Sequence, residues 1–198
     1  MAPMSEAARR GLYIFLAALA VIVGGVVYEQ FWLGGEQAAP ALGGPFTLID
    51  QNGVTRHDSD FRGKLVLIYF GYTFCPDACP TTLQDISQAL DLLGDKAAKI
   101  QPLFISIDPA RDTQEQLKSY AANFYPSLIA LTGSPDALKK AEQEYHVYVN
   151  KVEQTGEDDY LFDHSSIVFI LGRDGRFLGQ FPTGIPPKVI AASLERYL

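Results

Sequence analysis

Leu65–Pro80 reads LVLIYFGYTFCPDACP. Its first six residues form an unbroken apolar run, too short for a core helix and rich in the large and β-branched side chains of a strand covered on both faces. The run delivers the chain to Gly71-Tyr72-Thr73-Phe74 and then to Cys75 and Cys79, the only two cysteines among 198 residues. A central strand ending in a loop is where open α/β sheets place their sites. Beyond the loop, Leu83, Ile86, Leu90 and Leu93 recur at helical spacing over 81–93, with Gly94 placed to close the helix. Ile100–Ile107 (IQPLFISI) is the next strand, so residues 65–107 make one βαβ unit.

Upstream, residues 45–50 and 54–57 are strands joined by Gln51-Asn52-Gly53, because Asn-Gly tolerates the positive φ that a tight hairpin needs. Residues 58–63 are a polar connection. Downstream, a helix is predicted over 112–124, starting at Asp112 or Thr113, then a strand over 127–131. A third helix spans 135–145, capped by Ser134 with Pro135 at its first position. Residues 147–159 are polar and acidic and read as an exposed loop or hairpin excursion. A strand over 166–171 turns at Arg173-Asp174-Gly175-Arg176 into a returning strand over 177–181, and residues 186–198 are the last helix. This order resembles a thioredoxin-like α/β layout, a central sheet flanked by helices, elaborated by an N-terminal hairpin.

Before that domain, Gly11–Tyr28 (GLYIFLAALAVIVGGVVY) carries no charge and follows Arg9 and Arg10. At about 1.5 Å per residue it nearly spans a hydrocarbon core, and Phe31 and Trp32 extend it into the interface. The expected division is a cytoplasmic terminus at 1–10, a transmembrane anchor at 11–33, a linker at 34–44 and one domain at 45–198. The basic flank holds the N-terminus in the cytosol, so the domain faces the outer side of the membrane. A cleaved signal peptide, processed near Gln37-Ala38-Ala39-Pro40, is the alternative; the length of the apolar stretch favours retention. The net charge of −7, with no basic stripe, argues against nucleic acid as a partner.

The cysteines stand four positions apart, with three residues between them, so the sequence is not the dithiol Cys-x-x-Cys. If the segment is helical, the spacing puts both sulfurs near one face, where free amides of a helix start favour thiolate. Two such thiolates can grip one soft metal ion or oxidise to a disulfide. A purely structural staple is less favoured, because so short a loop constrains little unfolded chain. A soft metal recruits imidazole as a further ligand. Of three histidines, His57 lies in the early hairpin, His146 ends a helix whose dipole already explains it, and His164 stands just before the strand over 166–171. In a thioredoxin-like fold that position lies beside the cysteine loop. Asp163 is placed to orient the imidazole or to cap a turn, and Asp77 to add charge beside the thiolates or to cap a helix. Met1 and Met4 precede the anchor and cannot reach an outer-side site.

Cys75-Pro76-Asp77-Ala78-Cys79-Pro80, Ser106-Ile107-Asp108-Pro109-Ala110-Arg111-Asp112-Thr113 and Asp163-His164-Ser165, in this order behind an anchor, resemble the Sco/SenC family of membrane-anchored copper proteins. The resemblance covers about residues 44–198. It implies one copper ion per monomer, Cu(I) or Cu(II), on Cys75, Cys79 and His164. It also implies a metallochaperone for the dinuclear copper centre in subunit II of cytochrome c oxidase, served by a copper donor protein or a thiol reductant. By the same resemblance the chain is expected in the bacterial inner membrane with its domain in the periplasm. It leaves open whether Cys75 and Cys79 are also redox-active, as in an enzyme that reduces the cysteines of that subunit. A peroxidase is a weaker reading, since the first basic residue after the pair is Lys96. For Asp108, Arg111 and Asp112 a structural role at the strand end and helix start competes with a direct one.

Overall fold

The structure, a computed structural model, describes residues 6–28, 42–153 and 160–198. The chain divides into two compact units, Met1–Pro40 and Ala41–Leu198. In the first, α1 (Glu6–Tyr28) is the single helix among the described residues long and apolar enough to cross a membrane, with its apolar window at Arg9–Val26. Phe31, Trp32, residues 34–41 and the processing region at Gln37–Pro40 lie outside the described residues, as do Met1 and Met4.

In the second unit β3 (Leu65–Gly71) is buried at all seven positions, as is its neighbour β4 (Ile100–Ser106). Burial on both faces is why neither strand alternates in sequence. β3 pairs parallel with β4 and antiparallel with β8 (Ile167–Leu171). β4 pairs parallel with β5 (Ile129–Thr132), and β5 antiparallel with β1 (Thr47–Asp50). β2 (Thr55–His57) and β9 (Phe177–Pro182) close the two edges, giving the order β2-β1-β5-β4-β3-β8-β9. Between the strands run α2 (Ala78–Leu93), α3 (Gln114–Ala121), α4 (Pro135–Glu144) and, last, α5 (Pro187–Glu195). The fold is a thioredoxin-like mixed sheet flanked by helices, with an N-terminal hairpin.

Local chemistry sets the element ends. The Asp50 carboxylate accepts from the amides of Asn52 and Val54, closing the first hairpin turn that Gly53 enters at φ +81°. Thr113 and Ser134 cap α3 and α4 through their hydroxyls, and Gly94 follows α2 at φ 54°.

Two local expectations change, and one left open between loop and hairpin is decided as a hairpin. α2 begins at Ala78, not near Thr81, because the lost amide of Pro80 costs nothing in a first turn whose amides have no intrahelical partner. The acidic stretch after Val147 contains β6 (Val149–Glu153), which pairs antiparallel with β7 (Tyr160–His164), a separate two-stranded ribbon. His164, expected just ahead of the strand over 166–171, ends a strand of its own. His146 sits at φ 51°, and its amide and that of Val147 reach back to the carbonyls of Gln143 and Glu142. It thus occupies the left-handed position closing α4 that usually falls to glycine.

Candidate metal centre

β3 ends at Gly71, and the next four residues form a turn closed by the Cys75 amide donating to the Tyr72 carbonyl at 3.2 Å. The turn places Cys75 just outside α2, and Cys79 in its first turn. Cys75 Sγ accepts from the Cys79 amide at 3.3 Å, so the sulfur takes one of the orphan donors at the helix start. Asp77 is the residue at the cap position, yet its side chain makes no capping bond and accepts instead from the Thr81 hydroxyl at 3.2 Å. It is exposed beside the cysteines. Gly71 is required by packing: a Cβ there would come within 2.8 Å of Cys79 Sγ and 2.8 Å of the Phe104 ring.

Both cysteines are free, Cys75 half-buried and Cys79 buried. Hydrogen bonding from the Cys79 side chain, joined by the amides of Cys79 and Asp77 and by the His164 charge, pulls the Cys75 thiol down to about 5 against the cost of its burial. The Cys75 sulfur and burial push the Cys79 thiol upward. The pair is therefore asymmetric, one accessible thiolate and one protected thiol. Tyr69 donates to Cys79 Sγ at 3.7 Å from within β3, and burial followed by the Cys79 charge drives the Tyr69 phenol upward, so that it stays a donor.

His164 comes to this pair from 85 residues away, with Nε2 3.8 Å from Cys79 Sγ. Its Nδ1 faces the Ser165 carbonyl at 3.1 Å. With the proton on Nδ1, the Nε2 lone pair is turned to the cysteines, the tautomer a metal requires. Asp163, the other side chain considered for orienting the ring, is exposed and alternates to the opposite side of β7, so the acceptor at Nδ1 is a backbone carbonyl. Among the described residues no three His, Cys, Asp or Glu side chains are already drawn into a closed coordination set. Two sulfurs and a turned imidazole nitrogen nevertheless constitute a soft donor set that suits a cuprous ion or a related thiophilic cation. His57 and His146 are elsewhere: His57 bonds Thr47 within the first hairpin, and His146 closes α4.

The Ser106–Thr113 stretch acts on the site through hydrogen bonds. The buried Asp112 carboxylate accepts from the Thr73 amide at 3.2 Å, the Thr73 hydroxyl at 2.7 Å and the Ser106 hydroxyl at 2.6 Å, tying the cysteine loop to the end of β4. Burial pushes this carboxyl above its ordinary range, opposed by those same hydroxyls. Asp108 pairs with Arg111 and accepts from the Tyr160 hydroxyl at 2.9 Å. Tyr72 accepts from the Phe162 amide at 3.2 Å. Tyr69, Tyr72, Thr73 and Tyr160 escape a reading of the sequence, because a tyrosine or threonine beside a strand is ordinary core composition until its partner is known. The only signal was position, two of them lying between the central strand and Cys75.

The SCO1/SenC family pattern matches residues 34–198. Over 150 residues the chain is 42% identical to an SCO2-like protein of Rickettsia prowazekii, covering 75% of this chain and 73% of that protein. It is 38% identical over 161 residues to the mitochondrial SCO1 homolog of Homo sapiens, covering 80% of this chain and 54% of that relative, about half its length. The structure of Bradyrhizobium japonicum ScoI with copper bound superposes with a TM-score of 0.75 at 45% identity, covering 80% of this chain and 100% of that one. Motifs, fold and matched sequence coincide over the same domain, and the chain belongs to the SCO1/SenC family.

Proposed function

We propose that this protein is a copper metallochaperone that holds one copper ion, Cu(I) or Cu(II), on Cys75, Cys79 and His164 and serves the dinuclear copper centre in subunit II of cytochrome c oxidase. The observation that carries this reading is the 3.8 Å approach of His164 Nε2 to Cys79 Sγ, made by residues with no local reason to meet. The 45% identical ScoI was solved with copper bound, which supports the cargo. The resemblance supplies the oxidase partner and a copper donor protein upstream. Copper here is cargo, so the site must release as well as bind. Cys75, half-buried, is the ligand that a partner's thiolate can replace first, and the buried Cys79 the last. Asp77, exposed beside the pair, adds negative charge that favours a bound cation, and Asp163 lies next to the imidazole ligand.

In this reading residues 1–10 are cytoplasmic, residues 11–33 cross the bacterial inner membrane once, residues 34–44 link, and residues 45–198 work in the periplasm. Arg9 and Arg10 ahead of the apolar helix support the orientation. Copper titration of the purified, reduced chain tests the site. One ion per monomer is expected for the native protein, with a large loss of Cu(II) affinity in H164A although both thiols remain. Unchanged binding in H164A would remove His164 from the site.

The asymmetric pair favours a second reading, a thiol-disulfide oxidoreductase acting on the same partner. The Cys75 thiolate attacks a sulfur of the partner's disulfide and releases one partner thiolate. Cys79, losing its proton, then attacks Cys75 of the mixed disulfide, releasing the second partner thiol and leaving Cys75–Cys79 oxidised. A thiol reductant must restore the pair. Two parallel runs distinguish the readings, copper-loaded protein with the reduced oxidase copper domain and metal-free protein with the disulfide-oxidised one: loss of partner disulfide without copper transfer favours the enzyme, and transfer without disulfide change favours the chaperone.

A further inference from the structure

β6 and β7 pair with each other and with no strand of the main sheet. A two-stranded ribbon has little stability of its own, so side chains must hold it in place. The chain ties its base to the body, through Val147 on one side and Ser166 on the other, and Tyr160 lies at the far end. On β7 the alternate residues Tyr160, Phe162 and His164 face one side, and each has a partner across the gap. His164 reaches Cys79. The Phe162 amide donates to the Tyr72 hydroxyl, and the two rings meet edge-on at 5.3 Å. Tyr160, itself buried, donates its hydroxyl to Asp108 at 2.9 Å.

Tyr160 is held more fully than either neighbour. The Arg111 guanidinium carbon lies 3.6 Å from the centre of its ring, and Lys151 Nζ lies 3.8 Å from the same centre. Two cations that close to one centroid cannot share a face, so the ring is sandwiched. Arg111 also bonds Asp108, which is 2% exposed and takes the tyrosine hydroxyl on its other oxygen. Among the described residues the buried Arg111 Nη2 has no hydrogen-bond partner. The guanidinium is thus kept at the ring for its flat stacking surface at the expense of a full set of hydrogen bonds.

We propose that Tyr160, clasped by Asp108 and Arg111 of the body and backed by Lys151 from the ribbon's own β6, is the latch that holds the β6–β7 ribbon down and so keeps His164 at the cysteine pair. This rests on His164 being the third ligand. Tyr160 touches neither the cysteines nor their cargo in this reading, and is a positioning residue. When the latch opens, β7 is no longer held from its far end, and the imidazole at its other end loses its fixed place against the two sulfurs. A ligand present for only a fraction of the time weakens apparent affinity by that fraction, so latch strength sets both retention and release of the ion. The stretch around Asp108 then links the metal centre to the far end of the ribbon, through the charges of Arg111 and Asp108.

The test is Cu(II) titration against a competing chelator with the full-length reduced chain in detergent, for the native protein, Y160F, R111K, H164A and Y160F combined with H164A. Y160F keeps the ring and removes only the hydroxyl. It is expected to weaken Cu(II) by about tenfold, the factor one hydrogen bond to a charged group is commonly worth. R111K, which keeps the charge and loses the flat stack, is expected to weaken it in the same direction. In the H164A background the Tyr160 change should have no further effect, and this dependence on His164 is what a general loss of stability would not produce. Amide exchange in the metal-free chain is the second readout: residues 160–164 should exchange faster in Y160F, with β3 and β4 unchanged. If H164A weakens binding and Y160F does not, or if Y160F weakens it equally with and without His164, the latch is wrong and the site stands. If H164A binds like the native chain, the ligand assignment fails and the latch's effect on metal fails with it.

Discussion

Cys75 and Cys79 are the same residue type four positions apart, and their surroundings make them opposites. Cys75 faces hydrogen-bond donors at a helix start, and Cys79 lies in the core against Tyr69 and Gly71. The Cys75 pKa of about 5 means that in the metal-free protein it is thiolate at neutral pH and takes up its proton only as pH falls through about 5. Iodoacetamide should therefore modify Cys75 at a rate flat from pH 9 to pH 6 and falling about tenfold per pH unit well below 5. Mass mapping should find Cys79 unmodified on the same timescale. Because Cys79 is the largest cause of the shift, C79A should move the Cys75 midpoint upward. A native rate that climbs through pH 8 to 9 would refute the asymmetry. Gly71 belongs to the same scale. Its substitution by alanine puts a methyl carbon into Cys79 Sγ and the Phe104 ring, both part of the packed core, and should cost about 1–3 kcal/mol, read as a lower urea midpoint.

At the scale of elements, helix ends and strand pairs decide where the reactive groups stand. α2 starts directly behind Cys75, so its first amides face a sulfur, and a start three residues later would have left Cys79 in a loop. α4 closes through a left-handed His146, a conformation that costs an L-residue about 1–2 kcal/mol and glycine nearly nothing. His146 is exposed, and its backbone makes the closing contacts. H146G should accordingly stabilise the protein by about 1 kcal/mol, raising the melting temperature by about 2–4 °C, with metal binding unchanged. A fall in stability would show that the imidazole contributes more than its backbone strain removes. The β6–β7 ribbon is the opposite case, an element whose own pairing is too small to place it and which depends on Tyr72, Asp108 and Arg111.

Over the whole molecule, the sheet carries the chemistry at one end of its two central strands. Gly71 at the end of β3 leads to the cysteines, Ser106 at the end of β4 leads to Asp108 and Asp112, and β8, paired on the other side of β3, receives the chain from His164. The second unit, Ala41–Leu198, has its own continuous core from Phe46 to Leu194. Residues 41–198 produced alone should therefore fold as a soluble domain with one cooperative thermal transition and the Cys75 reactivity of the full chain. A broad transition, or a thiol titrating at its ordinary value, would show that the first unit completes the fold.

Much of this could be read before any coordinates. The apolar run at Leu65–Phe70, the helical spacing from Leu83 to Leu93, Asn52-Gly53 in a turn, Ser134-Pro135 at a helix start and Gly94 at a helix end are local signals. Each element forms largely for reasons contained in its own residues. Cys75 and Cys79 were legible for the same reason, being a pair at short range. His164 entered through fold analogy, and its placement in a strand, the turn of its Nδ1 to the Ser165 carbonyl and its 3.8 Å approach to Cys79 were settled by folding. The tie from Asp112 to Thr73 and the clasp on Tyr160 were likewise invisible, since each joins residues 39 and 52 positions apart. Periodicity and capping act within a few turns of chain and are written in sequence. A hydrogen bond between loops depends on where the sheet delivers their ends, which only the packing of the whole domain decides.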